Sequence, residues 1–415
     1  MTAGMTEAPL RVHTRRLDLP ADRSLLELLP ADAPVTWVRK GDGLVGWGVA
    51  AIVRTSGPTR FSDAAKWWAE LVGRADVVDE VEEPGTGLVS FGTFGFADEP
   101  GDSVLVVPRV VVGRRGEDAW LTTVGDTLTE DPAVAGAPRA PVGVVFADGA
   151  LDGEKWMSVV AEAVSRIGDG ELEKVVLARD LVATADEPID VRWPLRRLAS
   201  TYPTCWTFHV DGLFGATPEL LVRRARGLVT SRVLAGTIRR TGDDEADLAL
   251  SATLARSSKD LEEHEYAVRS VAEALEPSCS SMNVPDAPFV LHLPNVMHLA
   301  TDVTGVVHDP GEGSSLQLAE ALHPSAAVGG TPTPVAVGVI AEIEGMDRGR
   351  YAGPVGWTDA SGDGEWGIGL RSGEVSGPSV RLFAGCGIVA DSDPEAELAE
   401  SQAKFIPVRD ALDAP

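Results

Sequence analysis

The sequence is poor in cysteine. It holds three cysteines among 415 residues, Cys205, Cys279 and Cys386. The number is odd, and no two of them have the Cys-x-x-Cys spacing of metal and redox sites. We therefore expect neither a disulfide framework nor a structural zinc site.

Basic residues are also scarce. The chain has 36 Lys and Arg against 63 Asp and Glu, which gives a formal net charge of -27. A nucleic acid or an anionic membrane surface would need a basic face on its protein partner. We expect neither as a partner, and an anionic ligand would need a local positive site or a bound cation.

Long apolar runs are missing from the amino-terminal stretch. Residues 1–19 mix Arg with Asp and contain no segment of signal-peptide or membrane-spanning length. The chain is nevertheless 44% hydrophobic, so it can bury a large core as one big domain or two medium ones. We expect a soluble, reduced, cytoplasmic protein.

Short β-like runs with turn signals between them dominate the first third of the chain. Asp42-Gly43, between the first two runs, is a hairpin signal. Residues 131–142, rich in Pro and Ala, indicate an exposed linker. We therefore predict an amino-terminal β-rich half of one fold at residues 1–145 and a second region at residues 150–410. The four runs cover 35–38, 44–53, 88–96 and 103–112.

The second region mixes helices with strands. An antiparallel meander is predicted from 206 to 235, and its strands are separated by Asp211-Gly212 and Arg226-Gly227. The order of strands and helices predicts an α+β fold, with two large, mostly antiparallel sheets flanked by helices. The other predicted elements are helices at 155–167 and 248–275, strands at 174–184, 353–358, 366–371 and 379–384, and a closing helix from Pro394.

Glycines interrupt two of the late strands. Period-2 alternation places Gly367 and Gly369 on one strand face with Arg371, and in the other strand Gly385 and Gly387 also share a face. Glycines inside strands usually mark the close approach of a ligand or of another backbone. If the two strands are neighbours, they form a bare patch of sheet beneath one Arg. A tight contact between sheet and helix is the alternative.

Two carboxylates share one face of the closing helix, for which Asp393 or Ser392 is the expected N-cap. Glu397, Glu400 and Lys404 lie at i, i+3 and i+7. Carboxylates one turn apart repel each other unless a positive charge lies between them, and an all-carboxylate site prefers a hard cation such as Mg²⁺. The alternative is a solvated face with an ion pair between Glu400 and Lys404.

A lysine and a glutamate stand at the start of apolar strands. Lys174 precedes Val-Val-Leu and Glu219 precedes Leu-Leu-Val, where burial is expected. A lysine must lose its proton to act as a base, whereas a glutamic acid that donates a proton needs a raised pKa. The two residues are a candidate base and acid. Alternatively, they pair with each other or with solvent at the strand ends.

Glu263 belongs to the long charged helix predicted at 248–275. It lies beside a ridge of small residues, Ala267, Ser270 and Ala274. Such a ridge permits either close packing or water. The pattern alone does not distinguish Glu263 from its acidic neighbours.

Taken together, these segments resemble the chorismate-utilising enzymes, the family of isochorismate, salicylate, anthranilate and aminodeoxychorismate synthases. The similarity covers about residues 170–404, with the motifs in order, and is more specific than any single motif. It implies the fold of anthranilate synthase component I. It also implies chorismate as the substrate and Mg²⁺ as the cofactor.

The resemblance implies roles residue by residue. Lys174 is similar to the base that activates water, and Glu219, in Thr-Pro-Glu-Leu-Leu, to the acid that protonates the departing hydroxyl. Glu263 and Glu400 are similar to the direct magnesium ligands, with Glu397 and Asp260 acting through water. The positions that match substrate contacts are Gly236, Thr237, His298, Tyr351, Arg371, Gly385, Gly387 and Lys404.

The resemblance also indicates a branch of the family. Members that use ammonia lack a lysine at the position of Lys174, so its presence implies water addition without an amidotransferase subunit. Members that form salicylate resemble a pattern with Thr at the position of Ala327. Ser325-Ala326 stands where the isochorismate-forming branch has Thr-Pro, which puts the placement of the loop in question, and Cys386 stands where Ala is usual.

The implied activity is that of an isomerase. Water adds at C2 of chorismate and the C4 hydroxyl leaves, which gives isochorismate for menaquinone or siderophore biosynthesis. The alternatives are a salicylate synthase, which then eliminates pyruvate, and a catalytically silent homologue that binds chorismate. The complete set Lys174, Glu219, Glu263 and Glu400 weighs against a silent homologue, and nothing in the sequence requires a second subunit, so we expect a monomer.

Overall fold

Two large β-sheets form the centre of the molecule. The structure, a computed structural model, describes residues 10–125, 130–309 and 313–413, apart from the side chain of Lys259. Residues 1–9 of the amino-terminal stretch considered above lie outside this range. Its strands are β1 (Leu10–Arg16), β2 (Val35–Arg39), β3 (Asp42–Trp47), β4 (Ala51–Thr55), β5 (Ala75–Asp79), β6 (Val89–Thr93), β7 (Ser103–Val107), β8 (Val110–Arg115), β9 (Asp118–Val124), β10 (Val145–Asp148), β11 (Lys174–Thr184), β12 (Trp206–Val210), β13 (Leu213–Thr217), β14 (Leu220–Ala225), β15 (Leu228–Arg239), β16 (Cys279–Asn283), β17 (Phe289–His292), β18 (Val296–Val307), β19 (Gly330–Thr331), β20 (Pro354–Asp359), β21 (Gly364–Ile368), β22 (Ser372–Ser376) and β23 (Ser379–Ile388).

Helices flank these sheets. No described helix combines the length and the apolar character needed to cross a membrane. The three cysteines are free and buried. The helices are α1 (Arg60–Val72), α2 (Gly153–Gly168), α3 (Arg192–Thr201), α4 (Asp244–Leu254), α5 (Ser258–Leu275), α6 (Ser315–Leu322), α7 (Thr333–Ile343) and α8 (Pro394–Leu412).

The sheets are almost entirely antiparallel. Within the described residues, the larger sheet has 13 strands in the order β10-β11-β23-β22-β13-β12-β2-β3-β8-β9-β1-β5, with β19 on β11. The smaller has 10 strands in the order β16-β18-β15-β14-β21-β20-β6-β7-β4, with β17 on β18. Only the β1–β5 pair is parallel among the described pairs. The predicted α+β fold with two antiparallel sheets is confirmed.

Strands from the first 125 residues continue both sheets. They join the later strands through β2–β12 in the larger sheet and β6–β20 in the smaller. Residues 131–142 contain neither helix nor strand, as the composition indicated. Hydrogen-bonded sheets thus connect the two parts. The division near residue 145 stays a prediction.

Two of the predicted early runs are each two strands. The run 44–53 divides into β3 of the larger sheet and β4 of the smaller, with Gly48 between them at a φ of 68°. The run 103–112 divides in the same way into β7 and β8 around Pro108, which has no N–H to donate to a ladder. Reading each run as one strand was wrong, because the chain crosses from one sheet to the other at these points.

The first hairpin turn lies two residues earlier than expected. Arg39 pairs with Asp42, so the turn residues are Lys40 and Gly41, with φ values of 54° and 87°. Asp42-Gly43 instead opens strand β3. The turns predicted at Asp211-Gly212 and Arg226-Gly227 are confirmed. The single meander predicted from 206 to 235 is wrong, because β12 and β13 lie in the larger sheet whereas β14 and β15 lie in the smaller.

The charged helix predicted at 248–275 is two helices. The chain leaves α4 after Leu254 and begins α5 at Ser258, with Ser257 as the N-cap that accepts from the Asp260 N–H at 3.2 Å. A serine hydroxyl that satisfies an exposed N–H of the first turn favours a new helix start. The break sets the direction of α5 independently of α4.

The two glycine-containing late strands are not neighbours. Strand β21 lies in the smaller sheet between β14 and β20, whereas β23 lies in the larger sheet between β11 and β22. The predicted bare patch shared by both strands is therefore wrong. A Cβ on Gly367 would lie 2.8 Å from the ring of Trp37, so that glycine serves packing between the sheets. Gly385 and Gly387 have a different environment.

Candidate active site

A polar cavity of about 220 Å³ lies between the sheets. Strands β11 and β23 of the larger sheet and β15 and β18 of the smaller border it, together with α5 and α8. Fourteen of the residues implied by the resemblance line it. They are Glu219, Gly236, Thr237, Asp260, Glu263, His298, Ala327, Tyr351, Arg371, Gly385, Gly387, Glu397, Glu400 and Lys404.

Lys174, the remaining predicted residue, lies just beneath the cavity wall. Its side chain is fully buried at the start of β11, and its Nζ is 3.0 Å from Glu263 Oε1. This distance allows an ion pair, but the two atoms are poorly aligned for a hydrogen bond, and Nζ makes none to the described residues. The ion pair seen here is with Glu263, so pairing between Lys174 and Glu219 was the wrong alternative.

Gly387 makes the approach of Lys174 possible. It pairs with Val176 on the adjacent strand. A Cβ at this position would collide with Glu263 Oε1 and would lie 3.1 Å from Lys174 Cε. The bare backbone therefore gives both charged side chains room at one point of the cavity wall. This observation gives the predicted role of glycine in β23 a physical reason.

Glu219 is buried at the start of β14. Its backbone N–H donates to Thr217 Oγ1 at 3.3 Å, and its carbonyl accepts from the Ile368 N–H at 3.2 Å. Burial raises the pKa of its carboxyl to about 7, although the Leu234 N–H and Lys174 act in the opposite direction. A carboxyl with this pKa holds its proton near neutral pH, as a proton donor must.

Three carboxylates of the cavity each have a donor or cation beside them. Lys174 lies beside Glu263, Ser392 Oγ donates to Glu397 Oε1 at 2.8 Å, and Lys404 Nζ lies 2.6 Å from Glu400 Oε1. The expected ion pair between Glu400 and Lys404 is present. The face is not solvated, however, because Glu397 and Lys404 are buried.

The donor set of this cluster fits a hard cation. Carboxylate oxygens of Glu397 and Glu400 lie within 4.8 Å of each other and of Cys386 Sγ. Burial raises the pKa of the Cys386 thiol well above its usual range, so the sulfur stays protonated. Carboxylate oxygens are what Mg²⁺ prefers. Glu397 and Glu400 are therefore close enough to share the cation and Cys386 is not a ligand, while Glu263 lines the same cavity.

An arginine and a histidine of the cavity wall are hydrogen-bonded to each other. Arg371 Nη2 lies 3.2 Å from His298 Nε2. Burial and Arg371 hold the pKa of His298 well below its usual range, so the ring is neutral and Nε2 accepts this hydrogen bond. His298 Nδ1 then carries the proton and lies 3.3 Å from the carbonyl of Gly236. Histidine thereby fixes the orientation of the guanidinium.

Arg371 still has an unused donor. Its Nε is buried and has no hydrogen-bond partner among the described residues. The backbone at Arg371 has a φ of 47°, a conformation that side-chain-bearing residues rarely adopt. A buried guanidinium N–H without an acceptor is costly unless a ligand supplies one. Arg371 therefore suits the recognition of a carboxylate.

A buried ion pair that the sequence analysis missed supports the wall. Arg348 donates to Glu344 and also to the carbonyls of Val176 and Val328, at 2.6 and 3.0 Å, while Glu344 Oε2 accepts from the Ala178 N–H at 2.8 Å. The pair thus joins β11 to the loop that follows α6. The sequence pattern that could have indicated this pair is a Glu and an Arg four residues apart after an apolar helix.

The same network positions the loop with the unusual Ser325-Ala326. Gly329 accepts from the Val176 N–H at 2.9 Å, and Gly330 pairs with Val175. Ala327 lines the cavity. The departure from the Thr-Pro of the family pattern therefore leaves Ala327 facing the site. Other lining residues that the sequence analysis did not single out are Val176, Pro218, Leu234, Ala235, Val328, Ala352 and Leu370.

A family model described as "Chorismate binding enzyme" matches residues 127–413. The chain belongs to this family. It is 34% identical over 412 residues to the isochorismate synthase MenF of Bacillus subtilis. The alignment covers 89% of this chain and 85% of that protein.

Solved structures agree with this assignment of the chorismate-binding enzyme. The crystal structure of DhbC from Bacillus anthracis matches with a TM-score of 0.79 and 33% identity over 94% of this chain and 99% of that one. Anthranilate synthase component I from Streptococcus pneumoniae matches with a TM-score of 0.71 and 21% identity over 89% and 92% of the two chains. The second likeness concerns the fold alone.

The raised pKa of Glu219 predicts a pH-dependent cost to the stability of the chorismate-binding enzyme. A group whose pKa is raised on folding stabilises the folded state fully at pH values below its unfolded pKa. This contribution is lost as the pH rises through the pKa of the folded state. Glu219→Gln, which stays neutral, should therefore gain stability relative to the unmodified enzyme by about 2 kcal/mol between pH 5 and pH 7. Urea unfolding at several pH values measures this difference. A difference that does not change with pH would contradict the assignment.

Proposed function

We propose that this chorismate-binding enzyme is a magnesium-dependent isochorismate synthase. The observation that carries the proposal is the juxtaposition of a buried lysine and a buried glutamic acid of raised pKa at one cavity. Lys174 reaches the wall beneath Gly387, and Glu219 lines the cavity itself. Relatives whose names give the same activity support the proposal.

Substrate recognition would rest on cations within an acidic protein. Arg371, oriented by His298 and with Nε free to donate, suits the enolpyruvyl carboxylate. The Tyr351 ring is held in place by stacking on Phe383, with ring centroids 5.0 Å apart, and its hydroxyl lies near Gly385. These contacts would place the ring of chorismate against the glycines of β23.

The proton transfers would involve two side chains. Lys174, in its neutral form, would take a proton from water as the water oxygen bonds to C2. Glu219 would give its proton to the C4 hydroxyl, which leaves as water while the ring double bond shifts. The overall change is an exchange of hydroxyl position, without oxidation or reduction. The raised pKa of Glu219 agrees with its proposed role as the acid.

Magnesium would be held by Glu263 and Glu400, with Glu397 and Asp260 acting through water. When bound, it supplies the positive charge that neutralises the ring carboxylate of chorismate. Lys404 Nζ lies 2.6 Å from Glu400 Oε1, so this lysine offsets part of the repulsion among the clustered carboxylates.

Ala327 favours isochorismate over salicylate as the product. Elimination of pyruvate needs the enolpyruvyl group held in a compact conformer, and an alanine supplies no hydroxyl to orient it. Bound isochorismate should therefore leave before it eliminates. We also propose that the enzyme acts in the cytoplasm as a monomer. It needs no amidotransferase subunit, because water rather than ammonia is the nucleophile.

Product analysis tests the proposal directly. Incubation with chorismate and Mg²⁺ should give isochorismate in reversible equilibrium, with little salicylate or pyruvate, as measured by liquid chromatography. Ala327→Thr should raise the salicylate fraction detectably, whereas Ala249→Thr on the exposed side of α4 should not. Equal amounts of salicylate and pyruvate from the unmodified enzyme would move the assignment to salicylate synthase. Absence of turnover would support the silent homologue.

The lysine is tested by its removal. Lys174→Ala should lower turnover of chorismate by roughly 100-fold or more, because water then lacks its general base. Lys155→Ala, on an exposed position of α2, should leave turnover unchanged. Circular dichroism checks that both variants are folded. Full turnover in a folded Lys174→Ala enzyme would show that another group activates water.

The metal ligands differ in their expected importance. A chelator should abolish activity, and added Mg²⁺ should restore it. Glu400→Gln should raise the Mg²⁺ concentration needed for half-maximal activity by at least about tenfold, and Glu397→Gln by less, because a direct ligand loses more than one acting through water. A larger effect of Glu397→Gln would reverse the two assignments.

A further inference from the structure

A second cavity, of about 460 Å³, lies apart from the candidate active site, and the two share no lining residue among those described. Aliphatic side chains make up much of its wall, and no described Phe, Tyr or Trp belongs to it. We call it the aliphatic cavity. Its wall includes Val35 at the start of β2, Ile52 of β4, Val106 of β7, Ile189 from the loop before α3 and Val375 of β22.

Both described carboxylates of this wall already have cationic partners. Asp211 accepts two hydrogen bonds from Arg54, at 2.7 and 2.8 Å, and one from Arg350 at 3.1 Å. Asp190 accepts from Nε and Nη2 of Arg192, at 2.9 and 2.6 Å. A carboxylate paired with arginine in this way has its charge compensated. A cationic ligand would therefore gain little from either group.

The basic side chain of the wall is not held in place for an anion. The Arg139 side chain is 78% exposed, and its Nη1 lies 3.8 Å from Glu187 Oε2. Exposed charges of this kind are screened by water and contribute little to a contact. An anionic ligand would also have to approach the two aspartates. The wall therefore favours a neutral ligand.

A histidine supplies the cavity with one hydrogen-bond acceptor. His209, near the end of β12, lines the cavity and is 6% exposed, and its Nδ1 lies 2.6 Å from the carbonyl of Pro34. A carbonyl oxygen only accepts, so Nδ1 carries the proton. Burial lowers the pKa of His209 to about 4, so the ring is neutral in neutral solution and Nε2 is unprotonated. No described residue hydrogen-bonds to Nε2.

The acceptor and the saturated walls together select the ligand. A largely buried acceptor without a partner is costly, and a ligand hydroxyl would satisfy it. The valine and isoleucine side chains offer apolar contact but no planar face, so they suit an aliphatic body. Val49, between β3 and β4, is 39% exposed, so the cavity is open to solvent at this point. The volume lies within the range of small-molecule sites.

We propose that the aliphatic cavity binds a small neutral alcohol with a saturated body. The hydroxyl donates to His209 Nε2, and the body packs against the valine and isoleucine side chains of the wall. The cavity is separate from the candidate active site, so its ligand does not compete for Arg371. This binding is independent of the proposed catalytic activity.

Calorimetric titration of the full chain with cyclooctanol tests the proposal. The alcohol should bind, while cyclooctanone and cyclooctanecarboxylate should bind at least about tenfold more weakly. The ketone has the same ring but no donor for His209, and the carboxylate carries a charge that the wall does not compensate. Absence of cyclooctanol binding, or equal binding of the ketone or the carboxylate, would overturn the proposal.

Variants locate the probe in the aliphatic cavity. Val49→Trp, which fills the opening, should weaken cyclooctanol binding by about tenfold or more, whereas Val78→Trp, on the exposed edge strand β5, is the matched control and should bind normally. His209→Phe keeps a ring without an acceptor, so the alcohol should lose its advantage over the ketone. Circular dichroism checks the fold of that variant, and Val49→Trp tests the site without altering the core. Unchanged binding in Val49→Trp, or a full preference for the alcohol in folded His209→Phe, would overturn the proposal.

Discussion

The candidate site depends on the close approach of β11 and β23 at a residue without a side chain. Gly387 pairs with Val176, and its missing Cβ leaves space for Glu263 and Lys174. A buried lysine is costly unless a negative charge accompanies it. The glycine therefore leaves room for a charged pair beside an otherwise apolar strand. This pair forms part of the cavity wall.

A second buried pair holds this arrangement in place. Glu344 accepts a hydrogen bond from β11, and Arg348 donates hydrogen bonds to β11 and to the loop that carries Ala327. Loss of either member would leave a buried charge unpaired, which is more costly than the absence of both. The strand that begins with Lys174 and the loop that carries Ala327 are thus fixed by one network.

The candidate active site uses charges of both signs. In the candidate active site, carboxylates are gathered beside lysines and suit a divalent cation, while Arg371 remains for an anionic substrate. This combination matters because an acidic chain can bind an anion only where its own negative charges are compensated locally.

The resemblance to the chorismate-utilising enzymes implied the residues that surround the cavity, whereas the sequence by itself determined the α+β class and the two turns at Asp211-Gly212 and Arg226-Gly227. Short motifs were sufficient for these because alternation, turn chemistry and capping act within a few residues. It did not determine that 44–53 and 103–112 change sheets, that β21 and β23 lie apart, or that Lys174 contacts Glu263. Those outcomes, like the pairing of Glu344 with β11, join residues far apart in the chain. Only tertiary packing decides them, because burial in the assembled core selects which distant charges meet.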